Sequence, residues 1–122
     1  MNNKLFIVIS GIMGFSAVAL GAFGAHGLKN ILSQDLLETY KTGVFYHLIH
    51  SAVLLTISIA GNEKFIKSFW FFFAGIILFS FSLYIYALTQ ITTFVMVTPV
   101  GGIFLLIGWL LLIIAGMKKA EN

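Results

Sequence analysis

Chemistry in this chain would have to come from very few side chains. The 122 residues contain three histidines, His26, His47 and His50, and no cysteine. His47 and His50 stand three apart, a spacing that puts both on one side of a helix, and neutral imidazole is a good ligand for zinc or copper. Ser80 and Ser82 are the hydroxyls that could meet His50 as a nucleophile–base pair. Such a pair needs a third group to orient the imidazole. The apolar stretches that carry these residues contain no Asp, Glu, Lys or Arg, and the sequence has no nucleophile elbow. Hydrolysis is therefore not expected, and the chain reads as a non-enzyme. The missing embedded carboxylates also weigh against an ion-coupled carrier, which commonly holds charge at mid-membrane.

The elements that must position these residues follow from composition. Hydrophobic residues make up 60% and charged residues 9%, and the mean hydropathy is +1.05. A soluble domain carries about 25% charged residues to wet its surface, so a water-soluble fold is excluded. The net charge of +3 comes from scattered lysines with no arginine, which gives no basic stripe to grip nucleic acid. Three stretches lack Lys, Arg, Asp and Glu: 5–28, 42–62 and 68–117. Each of the first two matches the roughly 20 residues of one crossing. The third would form a helix about 75 Å long, so it must turn. Thr89, Gln90, Thr92 and Thr93 interrupt it, and Thr98-Pro99 reads as a helix start, with threonine as the cap and proline where no amide is needed.

The predicted architecture is all-α and a single domain, 1–122: an integral membrane four-helix bundle with crossings near 5–28, 43–61, 65–88 and 99–117. Between the first two, Ser33, Gln34 and Asp35 offer caps, Glu38 sits three residues after Asp35 as in a capping box, and Leu32, Leu36, Leu37 and Tyr40 recur at helical spacing. A short amphipathic helix is expected there, able to run into the second crossing. Lys4, the apolar run and the small residues at 22–25 imitate a secretory signal, but the run exceeds the usual 7–15 residues, so a retained helix is expected. Lys4, Lys64, Lys67, Lys118 and Lys119 against Lys29 and Lys41 place both termini in the cytoplasm of a multi-pass cell-membrane protein. Phe65, Phe69 and Trp70 read as an inner aromatic belt, with Tyr40, Tyr84 and Tyr86 towards the outer interface.

Counting helical rise, His26 lies about 31 Å above residue 5 and His50 about 16 Å above residue 61. That gap of about 15 Å far exceeds a metal–nitrogen bond of about 2 Å, so neither a three-histidine metal site nor a cofactor is expected. Thr39, Gly43, Tyr46 and His50 fall within about 60° of one another on the second helix, with His47 beside them. Ser80 and Ser82 reach similar heights, about 20–25 Å above residue 65. Polar groups thus gather in the outer half, and the inner half is plainer. Close packing is expected from Ser10, Gly14, Ala17, Gly21 and Gly24 along the first helix, from Gly43 on the second, and from Gly101, Gly108 and Ala115 on the fourth, because helices in lipid associate through small residues and hydrogen bonds.

Residues 21–28 (GAFGAHGL), Thr42-Gly43 with Tyr46 and His50, Ser82-Leu83-Tyr84 with Ala87-Leu88, and residues 98–102 (TPVGG) with Gly108-Trp109 together resemble the YgdD/YwdK family of small bacterial membrane proteins, a family of unknown function. The resemblance covers nearly the whole chain. It implies a four-helix inner- or plasma-membrane protein and carries no catalytic or binding role with it. The family pattern calls for Tyr46 and His50 but not for a histidine at position 47, and glycine is expected where this chain has Phe81.

Two readings of the polar residues stand side by side. In one, each is a buried group satisfied by neighbouring helices. In the other, Tyr46, His50, Ser80 and Ser82 line a small cavity, and the chain is an accessory or a small-ligand- or lipid-binding protein. An oligomeric transporter or channel for a small neutral or weakly basic solute is the alternative from another class. Membrane lipids are the expected partners, nucleic acid is not, and a second copy or another membrane protein has room to join.

Overall fold

Hydrocarbon offers a backbone amide no partner, so a chain this apolar must satisfy its amides within each crossing, and a helix does so. The structure, a computed structural model, describes residues 1–119. Four of its helices are long and apolar enough to cross a membrane: Asn3–Gly27, Gln34–Ala60, Glu63–Thr89 and Thr93–Met117, here helices 1 to 4.

Each end has a local cause. The Asn2 side chain accepts from the Leu5 amide at 3.4 Å to open helix 1, and the Ser33 hydroxyl accepts from the Leu36 amide at 3.3 Å to open helix 2. The expected capping box is not formed, because Glu38 instead accepts from the Gln34 side chain at 3.1 Å. The amphipathic segment does not stand apart as a helix of its own; it forms the first turns of helix 2, which runs unbroken from Gln34 to Ala60. That helix closes on Gly61 at φ 63°, whose amide reaches back to the Ile57 carbonyl at 3.2 Å. Glycine adopts this left-handed geometry without a steric penalty.

Helix 4 departs furthest from the sequence reading. It starts at Thr93, so Pro99 lies inside it. Proline there removes one amide bond, and a neighbouring threonine can occupy a nearby carbonyl instead. Thr98 does so, its hydroxyl donating to the Phe94 carbonyl at 3.2 Å. Helix 3 contains a second irregularity, a π-helical stretch over Ile77–Phe81 between the α-helical segments Ile66–Ile76 and Ser82–Thr89.

Helix 1 docks along helix 2, and helix 3 lies between helices 2 and 4. The core divides in two. Towards the end that holds the helix 2–3 turn, Phe6, Met13, Leu54, Phe69, Phe72 and Leu105 pack together, with Phe6 edge-on to Phe69 at 4.5 Å between ring centres. Towards the other end, Leu28, Leu37, Tyr40, Tyr84 and Ala87 form a second cluster. Two expected belts therefore lose members to the interior: Phe69, Tyr40 and Tyr84 are buried, because their helix faces point at neighbours. The Met1 ammonium lies 3.3 Å from the Glu63 carboxylate, which ties the amino terminus to the helix 2–3 turn.

Candidate functional site

Between the two apolar clusters runs a layer of hydrogen bonds that joins the helices. His47, wholly buried, is its centre. Ser16 on helix 1 donates to the Met13 carbonyl at 3.0 Å, so its oxygen is left to accept from Nε2–H of His47 at 3.2 Å. Nδ1 of His47 then accepts from the Tyr84 hydroxyl of helix 3 at 2.9 Å. One imidazole thus connects three helices.

His50, one turn on, is held differently. Its Nδ1 faces the Tyr46 carbonyl at 2.8 Å, an acceptor only, so Nδ1 carries the proton. Nε2 accepts from the Trp109 indole of helix 4 at 3.1 Å; an indole N–H can only donate. The two histidines are therefore opposite neutral tautomers, Nε2–H at 47 and Nδ1–H at 50. Nitrogen NMR of the ¹⁵N-histidine-labelled protein in bilayers should show protonated Nε2 and bare Nδ1 for His47, with the reverse for His50. Matching tautomers would refute these bond directions.

Further pairs join the helices on either side of this layer. Tyr40 donates to the Leu20 carbonyl, Ser10 pairs with Ser58 at 3.0 Å, and Ser82 pairs with Thr98 at 2.6 Å across helices 3 and 4. The half that holds the helix 2–3 turn, expected to be plain, is not: Ser10, Ser58 and Ser68 are all buried there. Of Ser10 and Ser58, one hydroxyl donates to the other and the accepting one donates to its own helix, Ser10 to the Phe6 carbonyl or Ser58 to that of Leu54. Ser68 and Ser80 are buried with no hydrogen-bond partner.

The four residues expected to share a cavity divide into two pairs. Tyr46 and His50 line a groove of about 430 Å³ together with Phe79, Pro99, Gly102 and Trp109. Their rings stack almost parallel, 9° apart with centres at 6.0 Å, and the Tyr46 ring lies 4.6 Å from that of Phe79. Ser80 and Ser82 do not line the groove. Two residues apart on a helix they point about 200° from each other, so a shared height could not bring both to one place. Ser82 turns to Thr98, and Ser80 is enclosed beside helix 2. His26 is exposed at the far end of helix 1, and among the described residues no three His, Cys, Asp or Glu side chains come together.

The packing glycines follow the same azimuthal logic. A β-carbon on Gly24 would strike the Tyr40 ring, one on Gly108 the Phe72 ring at 2.7 Å, and one on Gly21 the Val44 side chain at 3.1 Å. Ala17 is fully buried. Gly14 has nothing within 4 Å of an added β-carbon, so helix 2 does not approach helix 1 closely at that level. The π-helical stretch is gripped from both sides. Gly101 of helix 4 sits against the backbone of Leu78 and Phe79, and a β-carbon on Gly43 of helix 2 would lie 3.1 Å from the Ser80 carbonyl. Helix 3 is closely approached here without a glycine at 81, because Gly43 and Gly101 supply the space from the neighbouring helices.

Sequence reasoning missed two participants. Trp109 is legible in the sequence only as part of a motif, although an indole N–H within a membrane does seek a partner. His47 carries no role in the family resemblance, yet its imidazole joins helices 1, 2 and 3.

Four apolar helices joined by buried imidazole, phenol and hydroxyl bonds define a polytopic membrane bundle with a groove open at its side. The model of a protein of unknown function, DUF423, matches residues 20–102. The chain is 39% identical over 120 residues to the UPF0382 membrane protein YwdK of Bacillus subtilis (strain 168), covering 94% of this chain and 98% of that protein. It is 42% identical over 120 residues to the UPF0382 membrane protein SAB0533 of Staphylococcus aureus (strain bovine RF122 / ET3-1), covering 96% and 98%. This chain belongs to the DUF423 family of membrane proteins, as its glycine-rich and Thr-Pro motifs suggested. No solved structure matches it.

Proposed function

We propose that this protein is a non-enzymatic membrane component that holds a small amphiphilic, lipid-like molecule in the groove between helices 2 and 4. The observation that carries this reading is the groove itself: aromatic walls, a size within the 300–1,000 Å³ of small-molecule sites, and one polar pair in its lining, the buried His50 imidazole and the partly exposed Trp109 indole. A second furrow of about 290 Å³, lined by Val53, Thr56, Phe65 and Leu112, continues past Trp109. Together they give an extended molecule a path along the helix 2–helix 4 seam. The non-enzymatic reading is supported by both imidazoles having each ring nitrogen engaged and by neither Ser80 nor Ser82 bonding to His50. Both termini are placed in the cytoplasm of a cell-membrane protein on the lysine distribution.

The rival is a purely structural bundle, favoured by the near-complete pairing of its buried polar groups. Gly102→Leu separates the two. An added β-carbon at 102 would meet only the Phe79 ring, at 3.8 Å, so the larger side chain fills the groove and spares the hydrogen-bond layer. Mass spectrometry of molecules co-purifying with the protein should show a loss of about tenfold, the equivalent of 1.4 kcal/mol of binding, at unchanged thermal stability. Unchanged co-purification in Gly102→Leu, with His50→Leu altering stability alone, would favour the structural reading.

A further inference from the structure

A different face of the molecule carries a second site. At the end of the bundle away from the termini, helix 1 stops and helix 2 begins around a polar cup of about 420 Å³, lined by Gly24, Ala25, Lys29, Asn30, Gln34 and Lys41. Below it the seam between helices 1 and 2 opens as an almost wholly apolar furrow of about 260 Å³, lined by Gly21, Val44, Phe45 and Leu48. Cup and furrow are continuous, since Gly24, Ala25 and Lys41 line both. We infer that this continuous site seats one anionic phospholipid, its phosphate between the Lys29 and Lys41 ammonium groups and one acyl chain in the furrow.

Charge and shape both single out this occupant. Neither lysine is in an ion pair among the described residues. Asp35 and Glu38 do not line the cup, although the Glu38 carboxylate accepts from the cup-lining Gln34 side chain at 3.1 Å, which leaves the two lysines as the charged side chains of the lining. Gln34 is the first residue of helix 2, so the positive end of a long helix dipole adds to the field. A phosphate alone would use the cup and leave the furrow empty; a zwitterionic lipid would fill the furrow and gain less from two cations. From Lys41 to Leu48 the furrow descends about 10 Å, along the upper part of an acyl chain. The furrow exists because Gly21 and Gly24 carry no side chain, so that the Tyr40 ring settles against Gly24 as its wall. Basic pockets between membrane helices bind anionic headgroups on this same principle.

The test uses the full-length protein in nanodiscs of equal parts phosphatidylglycerol and phosphatidylcholine, with native mass spectrometry counting the lipids it retains. The wild type should be enriched in phosphatidylglycerol. The double variant Lys29→Gln/Lys41→Gln should lose that preference, by about fivefold per lysine. Ala25→Leu, at an exposed position, should block the furrow and lower retention without changing charge. Lys64→Gln/Lys67→Gln should leave the preference intact. Equal retention of the two lipids by the wild type, preference surviving in the Lys29/Lys41 variant, or the same loss from Lys64/Lys67 would overturn the proposal. So would inorganic phosphate stabilising the detergent-solubilised protein as strongly as phosphatidylglycerol does, since that outcome needs no furrow. The groove between helices 2 and 4 is untouched by these variants, so Lys29→Gln/Lys41→Gln should leave unchanged the co-purification that Gly102→Leu lowers, and the two sites fail or stand separately.

Discussion

Gly101→Ala should be among the most damaging single-methyl additions in this protein. The new β-carbon would fall on the backbone of Leu78 and Phe79, and a backbone cannot rotate aside as a side chain can. Overpacking typically costs about 1–3 kcal/mol, and the upper end of that range is expected here because the clash falls where the π-helical stretch of helix 3 already departs from regular geometry. Gly101→Leu should prevent assembly of helices 3 and 4. The matched control is Gly14→Ala, which meets open space and should change stability by no more than about 0.5 kcal/mol. Unfolding titrations in mixed micelles measure both. Equal stability of Gly101→Ala and Gly14→Ala would show that helix 4 does not rest on the helix 3 backbone.

The second large effect belongs to His47→Leu. It removes two interhelical hydrogen bonds, each worth about 0.6 kcal/mol on average within a membrane and up to about 1.7. It also strands the Tyr84 hydroxyl, enclosed by helix 2 and Phe81; an unsatisfied buried polar group costs about 1–3 kcal/mol. A total near 3 kcal/mol is expected from these terms together. Tyr84→Phe in the His47→Leu background should restore part of the loss, because it deletes the stranded hydroxyl, whereas the same change in the wild type should destabilise. That sign reversal is a coupling that a double-mutant cycle reads directly. Strictly additive effects would mean that the two side chains do not share a bond.

These expectations come from different levels of the molecule. That the chain crosses a membrane four times was legible from residues alone, since insertion depends on apolar length summed along one dimension. The stretches 5–28 and 42–62 needed only the absence of charge to be recognised. The spacing of Gly21, Gly24, Gly101 and Gly108 marked helix contacts for a similar reason: a missing side chain leaves a groove whatever fills it.

The errors share a cause as well. Thr98-Pro99 reads as a helix start because a cap and a tolerated proline have the same local chemistry at an end as inside; only the helix that begins at Thr93 shows which applies. Ser80 and Ser82 were matched to His50 by height, and height says nothing of direction around the helix. A single π-helical stretch shifts every residue beyond it by roughly a quarter turn, and nothing in residues 77–81 announces one.

The order of residues determined the solvent, the number of crossings, the common side of the two ends and the small-residue seams, all of which follow from composition read along the chain. The tertiary structure decided that His47 joins three helices, that Trp109 closes onto His50, and that the grooves open where they do. A hydrogen bond requires two atoms to meet within a few tenths of an ångström, and such meetings between separate helices depend on rotations that no local sequence encodes.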